Sequence, residues 1–174
     1  GMVTTNSKSL YSKMLKIRNY GSTKKYVHDE MGFNSRLQPI QGIVLSKKLK
    51  KLNSWNDERR FIAEQYNNAF ADNKKIQIPE TFDENLHVWH LYVIQVSNRN
   101  AFIDDLEKNN VQSIIHYPIP INQQKAYKTH KLFNNKFEKS TPYAKRIVSL
   151  PIFPEMTKKE INKVIDVVTK VSKK

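Results

Sequence analysis

Leu37, Ile40, Val44, Leu49, Leu52, Trp55, Ile62, Tyr66 and Phe70 largely keep a spacing of three or four residues. At that period side chains line one side of an α-helix. The pattern predicts a helix from about Arg36 to Phe70, much longer than an average globular helix. Pro39 fits its first turn, where the missing N–H costs no intrahelical bond. Upstream, Ser7 is a candidate N-cap for a helix to about Asn19, with Leu10, Met14 and Ile17 at helical spacing. Tyr20 to Phe33 reads as a polar connection.

Beyond residue 73 the period changes and the pieces shorten. Ile76-Gln77-Ile78 reads as a short strand ended by Pro79, and Val88 to Val96 as a longer one, rich in β-branched and aromatic residues. Asn100 to Lys108 reads as a helix and Val111 to Tyr117 as a strand stopped by Pro118. Gln123 to Tyr127 could make one helical turn. Ser140-Thr141-Pro142 suits a cap and N1 proline for a helix to about Val148. Thr157 and Glu160 have the spacing of a capping box, followed by an apolar stripe of Ile161, Val164, Ile165 and Val168. The fold class expected is α/β, an α+β two-layer arrangement in which helices cover a small sheet. The boundaries are 1–35 for a leading connection, 36–72 for the long helix and 73–174 for the small α/β domain.

Composition narrows the function. The chain has 174 residues, enough for one domain with a real core. It has no cysteine, so disulfides and thiolate chemistry are excluded. No stretch is apolar enough to span a bilayer, and the N-terminus lacks the order of a signal peptide. These points favour a cytoplasmic protein without a membrane partner. The net charge of +14 could attract phosphorylated ligands, anionic membrane surfaces or nucleic acid. Its lysines are spread along the chain and greatly outnumber its arginines, which favours a solvated surface over base readout.

No self-contained catalytic signature is present, neither a Gly-rich phosphate loop nor a nucleophile elbow. His87 and His90 would face opposite sides of the expected strand and so not share a metal. His116-Tyr117-Pro118 ends a strand and enters a proline-stiffened loop, a common place for binding groups. A core histidine beside an interface tyrosine fits the same residues. Asn34-Ser35-Arg36 sits at the expected N-terminus of the long helix, where exposed N–H groups suit an anion and where Asn or Ser also serves as a plain cap.

Three stretches together resemble the DegT/StrS family of nucleotide-sugar aminotransferases. They are Arg18-Asn19-Tyr20-Gly21-Ser22, then Asp29-Glu30-Met31-Gly32-Phe33-Asn34-Ser35-Arg36-Leu37-Gln38, then His116-Tyr117-Pro118-Ile119-Pro120. The resemblance implies the C-terminal half of a fold-type I, aspartate-aminotransferase-like enzyme using pyridoxal 5'-phosphate. Residues 1–35 would then be the end of the large domain, and 36–72 an interdomain helix. By the same resemblance Asn34 would reach the cofactor phosphate of the other subunit in a dimer. Lys25, Arg36, His116 and Tyr117 would bind substrate, Arg36 at its diphosphate and His116 and Tyr117 at its sugar. The wording is nearer to members that aminate a 3-keto sugar. Two runs depart from the family's pattern: Asn122 stands where many members have His, and Gln38-Pro39-Ile40-Gln41-Gly42 where many carry an acidic residue and Gln-Ala-Ala.

Gly1-Met2-Val3-Thr4-Thr5-Asn6 resembles the end of the family's Gly-Gly-hydrophobic-hydrophobic-Thr-Asn pattern, downstream of the Schiff-base lysine. No catalytic residue is therefore expected in this chain, and the chain by itself is expected to be inactive. The intact parent would transfer an amino group from glutamate to a dTDP-linked 3-keto-6-deoxyhexose, giving an amino sugar for surface polysaccharide. It would do so as a homodimer or with a chain carrying the large domain. Two other readings stay open: a non-catalytic dimerisation or binding module, and a basic nucleic-acid-binding domain.

Overall fold

The computed structural model describes residues 2–127 and 140–173, which form two compact units, residues 1–50 and 51–174. Gly1 of the N-terminal pattern and Lys174 of the terminal lysine pair lie outside the described residues. No helix among the described residues is long and apolar enough to cross a membrane.

The first unit begins with α1 (Lys8–Ile17). Its N-cap is Ser7, whose hydroxyl accepts from the Leu10 amide. The polar connection that follows is more ordered than its composition implies. It contains an antiparallel hairpin of β1 (Ser22–Lys24) and β2 (Val27–His28). The chain after the hairpin returns along residues 17–21. Phe33 N–H donates to Ile17 O, Tyr20 N–H to Phe33 O and Ser35 N–H to Arg18 O. Two glycines permit this approach: a Cβ on Gly21 would lie 1.6 Å from the Glu30 carbonyl oxygen, and one on Gly32 would lie 2.0 Å from the Gly21 nitrogen. Gly21 also has φ +70°, where glycine is the default residue.

The long helix expected over 36–70 is two helices, α2 (Pro39–Leu49) and α3 (Leu52–Phe70). Its start is later because of Pro39. The residue before a proline is pushed out of the α region, and Gln38 is extended at φ −69°, ψ 144°. Gln38 is thus the N-cap, and its N–H donates to Gln41 Oε1 at 3.1 Å. The interruption falls at Lys50 (−64°, −22°) and Lys51 (−102°, −9°), angles of a type I turn. Lys47, Lys48, Lys50 and Lys51 would pair like charges at i,i+3 and i,i+4 along a continuous helix. Lys51 instead starts the next ladder, its carbonyl accepting from the Trp55 amide and from Ser54 Oγ.

The second unit holds the core. β3 (Ile76–Gln77), β4 (Tyr92–Val96) and β5 (Ile147–Leu150) form an antiparallel sheet in the order β3-β4-β5. Around it lie α3, α4 (Arg99–Lys108) and α6 (Lys158–Ser172), with the short α5 (Ser140–Ala144) leading into β5. This is the two-layer α/β arrangement expected. Tyr92, Ile94 and Val96 alternate into the core and meet Ile62, Tyr66 and Phe70 of α3 and Ile161, Val164 and Val168 of α6. The capping box at Thr157 and Glu160 is formed, and hydrogen bonds from Thr157 hold the Glu160 carboxyl below its ordinary range.

Tyr66 and Tyr92 are fully buried with ring centroids 5.1 Å apart. Each phenol donates one hydrogen bond, Tyr66 to Pro151 O at 2.8 Å and Tyr92 to Asn67 Oδ1 at 2.6 Å. Burial pushes both phenols well above the ordinary tyrosine value, and for Tyr66 the neighbouring Tyr92 adds to the shift.

Three local expectations are corrected. The strand expected over 88–96 is confined to 92–96, and His87 accepts from the Trp89 amide at 2.9 Å in a turn before it. The helix expected to run to about Val148 stops at Ala144, since Ile147–Leu150 gains four cross-strand partners on β4. The strand expected over 111–117 is reduced to one bridge, Ile114 with Ser149. Pro118 has no amide to give a ladder, which limits how far pairing can extend.

Candidate functional site

The expected site residues fall into two groups, one in each unit. Lys25, Asn34 and Arg36 belong to the first, His116 and Tyr117 to the second.

In the first unit, backbone pairing sets the geometry. Asn34 bridges Asn19 in antiparallel fashion, fixing its main chain four residues before the N-cap of α2. It is therefore not the helix cap that its position in the sequence allowed. Its side chain is exposed and makes no hydrogen bond with the described residues, so the carboxamide N–H groups are free to donate outward. Arg36 is held from two sides: its guanidinium donates to Asn19 Oδ1 and lies over the Tyr20 ring, 5.5 Å from the centroid. A guanidinium fixed by one donor pair and a ring face retains other N–H groups for an anion.

Lys25 and Tyr26 form the tip of the hairpin. The Lys25 ammonium sits 5.0 Å from the centroid of the Tyr26 ring, which is 84% exposed. Tyr20 (φ 59°) and Tyr26 (φ 68°) are both left-handed, and bulky residues there each cost about 1–3 kcal/mol. Such outliers concentrate at functional sites. The base of the hairpin is tied by Thr23 Oγ1 donating to Asp29 Oδ2 and by Lys16 at 3.9 Å from the same carboxylate oxygen.

In the second unit, the bridge to β5 places His116. Ser149 exchanges both main-chain hydrogen bonds with Ile114, at 3.3 and 2.8 Å. Two residues on, His116 Nδ1 lies 2.9 Å from Ser149 Oγ. Ser149 alternates with the core residues Val148 and Leu150, so it faces the other side of the sheet and is buried there. The His116 ring packs edge-on against Tyr117 at 5.5 Å. Tyr117 is 72% exposed and opens a largely apolar cavity of about 490 Å³ lined also by Pro118, Ile119, Ile121, Tyr143 and Ile147. A tyrosine that lines an apolar hollow and carries a histidine against its ring can orient a ligand by hydrogen bonds while the hollow takes its less polar surface. Among the described residues no cluster of carboxylates, histidines or cysteines could hold a metal ion.

Asn19, Tyr20 and Ser149 did not emerge as site residues from the sequence. Asn19 and Tyr20 sit inside a motif that did, and they brace Arg36. Ser149 had a usable signal: it is the one hydroxyl in the run Ile147-Val148-Ser149-Leu150, and a polar group in a buried run requires a partner.

Comparison with known proteins gives the following. A family model described as the DegT/DnrJ/EryC1/StrS aminotransferase family matches residues 1–169. A dTDP-3-amino-3,6-dideoxy-alpha-D-galactopyranose transaminase of Aneurinibacillus thermoaerophilus is 41% identical over 170 residues, covering 98% of this chain and 46% of that protein. The crystal structure of S. venezuelae DesV in complex with a ketimine intermediate superimposes with a TM-score of 0.87 at 31% identity, covering 98% of this chain and 46% of DesV. NtdA of Bacillus subtilis, solved with bound cofactor PMP, superimposes with a TM-score of 0.86 at 26% identity, covering 98% of this chain and 41% of that one. The chain thus spans less than half the length of these relatives.

Proposed function

The chain belongs to the DegT/DnrJ/EryC1/StrS aminotransferase family, and on that premise we propose that it supplies the C-terminal portion of a pyridoxal-phosphate-dependent nucleotide-sugar aminotransferase. The substrate proposed is a dTDP-linked 3-keto-6-deoxyhexose, and the amino donor glutamate. The observation that carries this reading is the 41% identity, over nearly the whole chain, to a transaminase whose name specifies a dTDP-linked 3-amino sugar. The residues present fit the phosphate end of the cofactor. Asn34 has an exposed carboxamide, without a partner among the described residues, on a backbone fixed by its bridge to Asn19. When bound, the cofactor supplies the electron sink for amino transfer, and the protein supplies orientation and electrostatics.

In this reading Asn34 donates to the cofactor phosphate of a partner subunit in a homodimer. Arg36, braced by Asn19 and Tyr20, meets the substrate diphosphate, and Lys25 lies near the sugar. His116 and Tyr117 hydrogen-bond the sugar, Tyr117 from the lining of the apolar hollow. The lysine that anchors the cofactor is proposed to lie in the portion of the family's length outside this chain.

The test is a chimera in which this chain replaces the matching C-terminal portion of the A. thermoaerophilus enzyme. Formation of the 3-amino sugar from glutamate and the keto sugar supports the reading. A soluble, cofactor-loaded chimera that turns over no 3-keto sugar would refute the substrate assignment. A second reading, a non-catalytic assembly module, is favoured by α2, which exposes Ile40, Ile43, Val44, Leu45 and Leu49. It predicts an associating chimera that neither retains cofactor nor turns over.

A further inference from the structure

Taking His116 as a sugar contact, as proposed above, we infer that Ser149 is a positioning residue that fixes which nitrogen of His116 carries the proton. The argument is an account of hydrogens in a buried place. Ser149 is 5% exposed. Its main-chain N–H and C=O are both spent on Ile114. Its hydroxyl has a single partner among the described residues, His116 Nδ1 at 2.9 Å.

A hydroxyl carries one hydrogen, and a neutral imidazole has one donor and one acceptor nitrogen. If Nδ1 were protonated, it would donate to Ser149 Oγ and the hydroxyl hydrogen would be buried without an acceptor. Leaving a buried donor unmade is the costly outcome, whereas the reverse arrangement satisfies both groups. Ser149 therefore donates to Nδ1, and the proton of His116 resides on Nε2.

Nε2 has no hydrogen-bond partner among the described residues, and it is not buried, since Ser113 Oγ is their one buried, unpartnered side-chain polar atom. The ring consequently presents an N–H donor. That choice bears on specificity. A ketone oxygen can accept a hydrogen bond but not give one, so it pairs with the Nε2–H form and not with the other tautomer. Ser149, on the side of β5 turned away from the core, thus sets His116 to read an acceptor oxygen on the sugar.

The tautomer is measurable on this chain without ligand. Long-range ¹H–¹⁵N correlation spectra of the labelled chain, at alkaline pH where an ordinary imidazole is neutral, distinguish protonated from bare ring nitrogens. Expected is a bare Nδ1 and a protonated Nε2 for His116. In Ser149→Ala the two nitrogen shifts should move toward one another as the tautomers exchange, and Ser149→Thr should restore the wild-type pattern. A protonated Nδ1 in the wild type overturns the inference, even if Ser149→Ala fails to fold. So does a Ser149→Ala spectrum identical to wild type. In the chimera, Ser149→Ala should raise KM for the keto sugar roughly tenfold, the equivalent of one hydrogen bond of about 1.4 kcal/mol. An unchanged KM together with the expected tautomer shift would refute the sugar contact and leave the role of Ser149 standing.

Discussion

Raising the pH should unfold this chain through two phenols in its core. Tyr66 and Tyr92 have no exposed surface, and burial holds both well above the ordinary tyrosine value near 10. The sign follows from which state loses protons first. Above about pH 10 the unfolded chain ionises these phenols and the folded chain does not, so the unfolded state binds fewer protons and stability falls as pH rises. The stabilisation is complete below the unfolded value and is lost on the way up to the folded one. At pH 11 each lagging proton costs about 1.4 kcal/mol relative to neutral pH, and the pair costs about 3 kcal/mol. That is a large part of the 5–15 kcal/mol typical of a domain. The assay is urea unfolding at a series of pH values for the wild type, Tyr66→Phe and Tyr92→Phe, so that the many titrating lysines cancel in the differences. Tyr66→Phe should be weaker at neutral pH by about 1 kcal/mol, through loss of the bond to Pro151 O. It should then lose stability less steeply, meeting the wild type near pH 11. Parallel curves would refute the reasoning. So would phenolate absorbance showing all eight tyrosines ionised near pH 10 in the folded chain.

Gly32→Ala should open the paired segment between residues 17 and 35, because its Cβ would meet backbone 2.0 Å away, at a cost of about 2 kcal/mol or more. Hydrogen exchange should show faster exchange of the Tyr20, Phe33 and Ser35 amides and no change on β4, and protected amides in the variant would disprove it. Thr157→Ala removes the hydroxyl that accepts from the Glu160 amide and should lower stability by about 1 kcal/mol, read as a shifted urea midpoint with an unchanged slope. In the chimera, Asn34→Ala should weaken cofactor retention roughly ten- to a hundredfold, one charge-assisted bond of about 1.5–3 kcal/mol, and mixed dimers should complement it. His116→Ala and Tyr117→Phe should keep the cofactor and lose turnover, and equal cofactor loss in all three would remove the separate roles.

The sequence by itself determined what depends on neighbours along the chain. Ser7, Pro39 and the Thr157–Glu160 pair start helices close to where local chemistry puts them, because caps and prolines act within one turn. The segments around Asn34 and His116 were legible for a different reason: their residue order carries the family resemblance. The paired backbone on which Asn34 stands was not, because Gly21 and Gly32 reveal a close approach only when both strands of it are in place.

Tertiary structure decided the strands and the second layer of the site. Ile147–Leu150 can be read as the end of a helix until β4 offers it four partners, and strand preference is chiefly a preference for such neighbours. Val111 to Tyr117 lacked the same support and kept one bridge. That bridge brings Ser149 to His116 across 33 positions of sequence, and Asn19 reaches Arg36 across 17. Local propensity falls silent at those distances, since a hydrogen bond between remote side chains exists only after the backbone hydrogen bonds of the fold have set their positions.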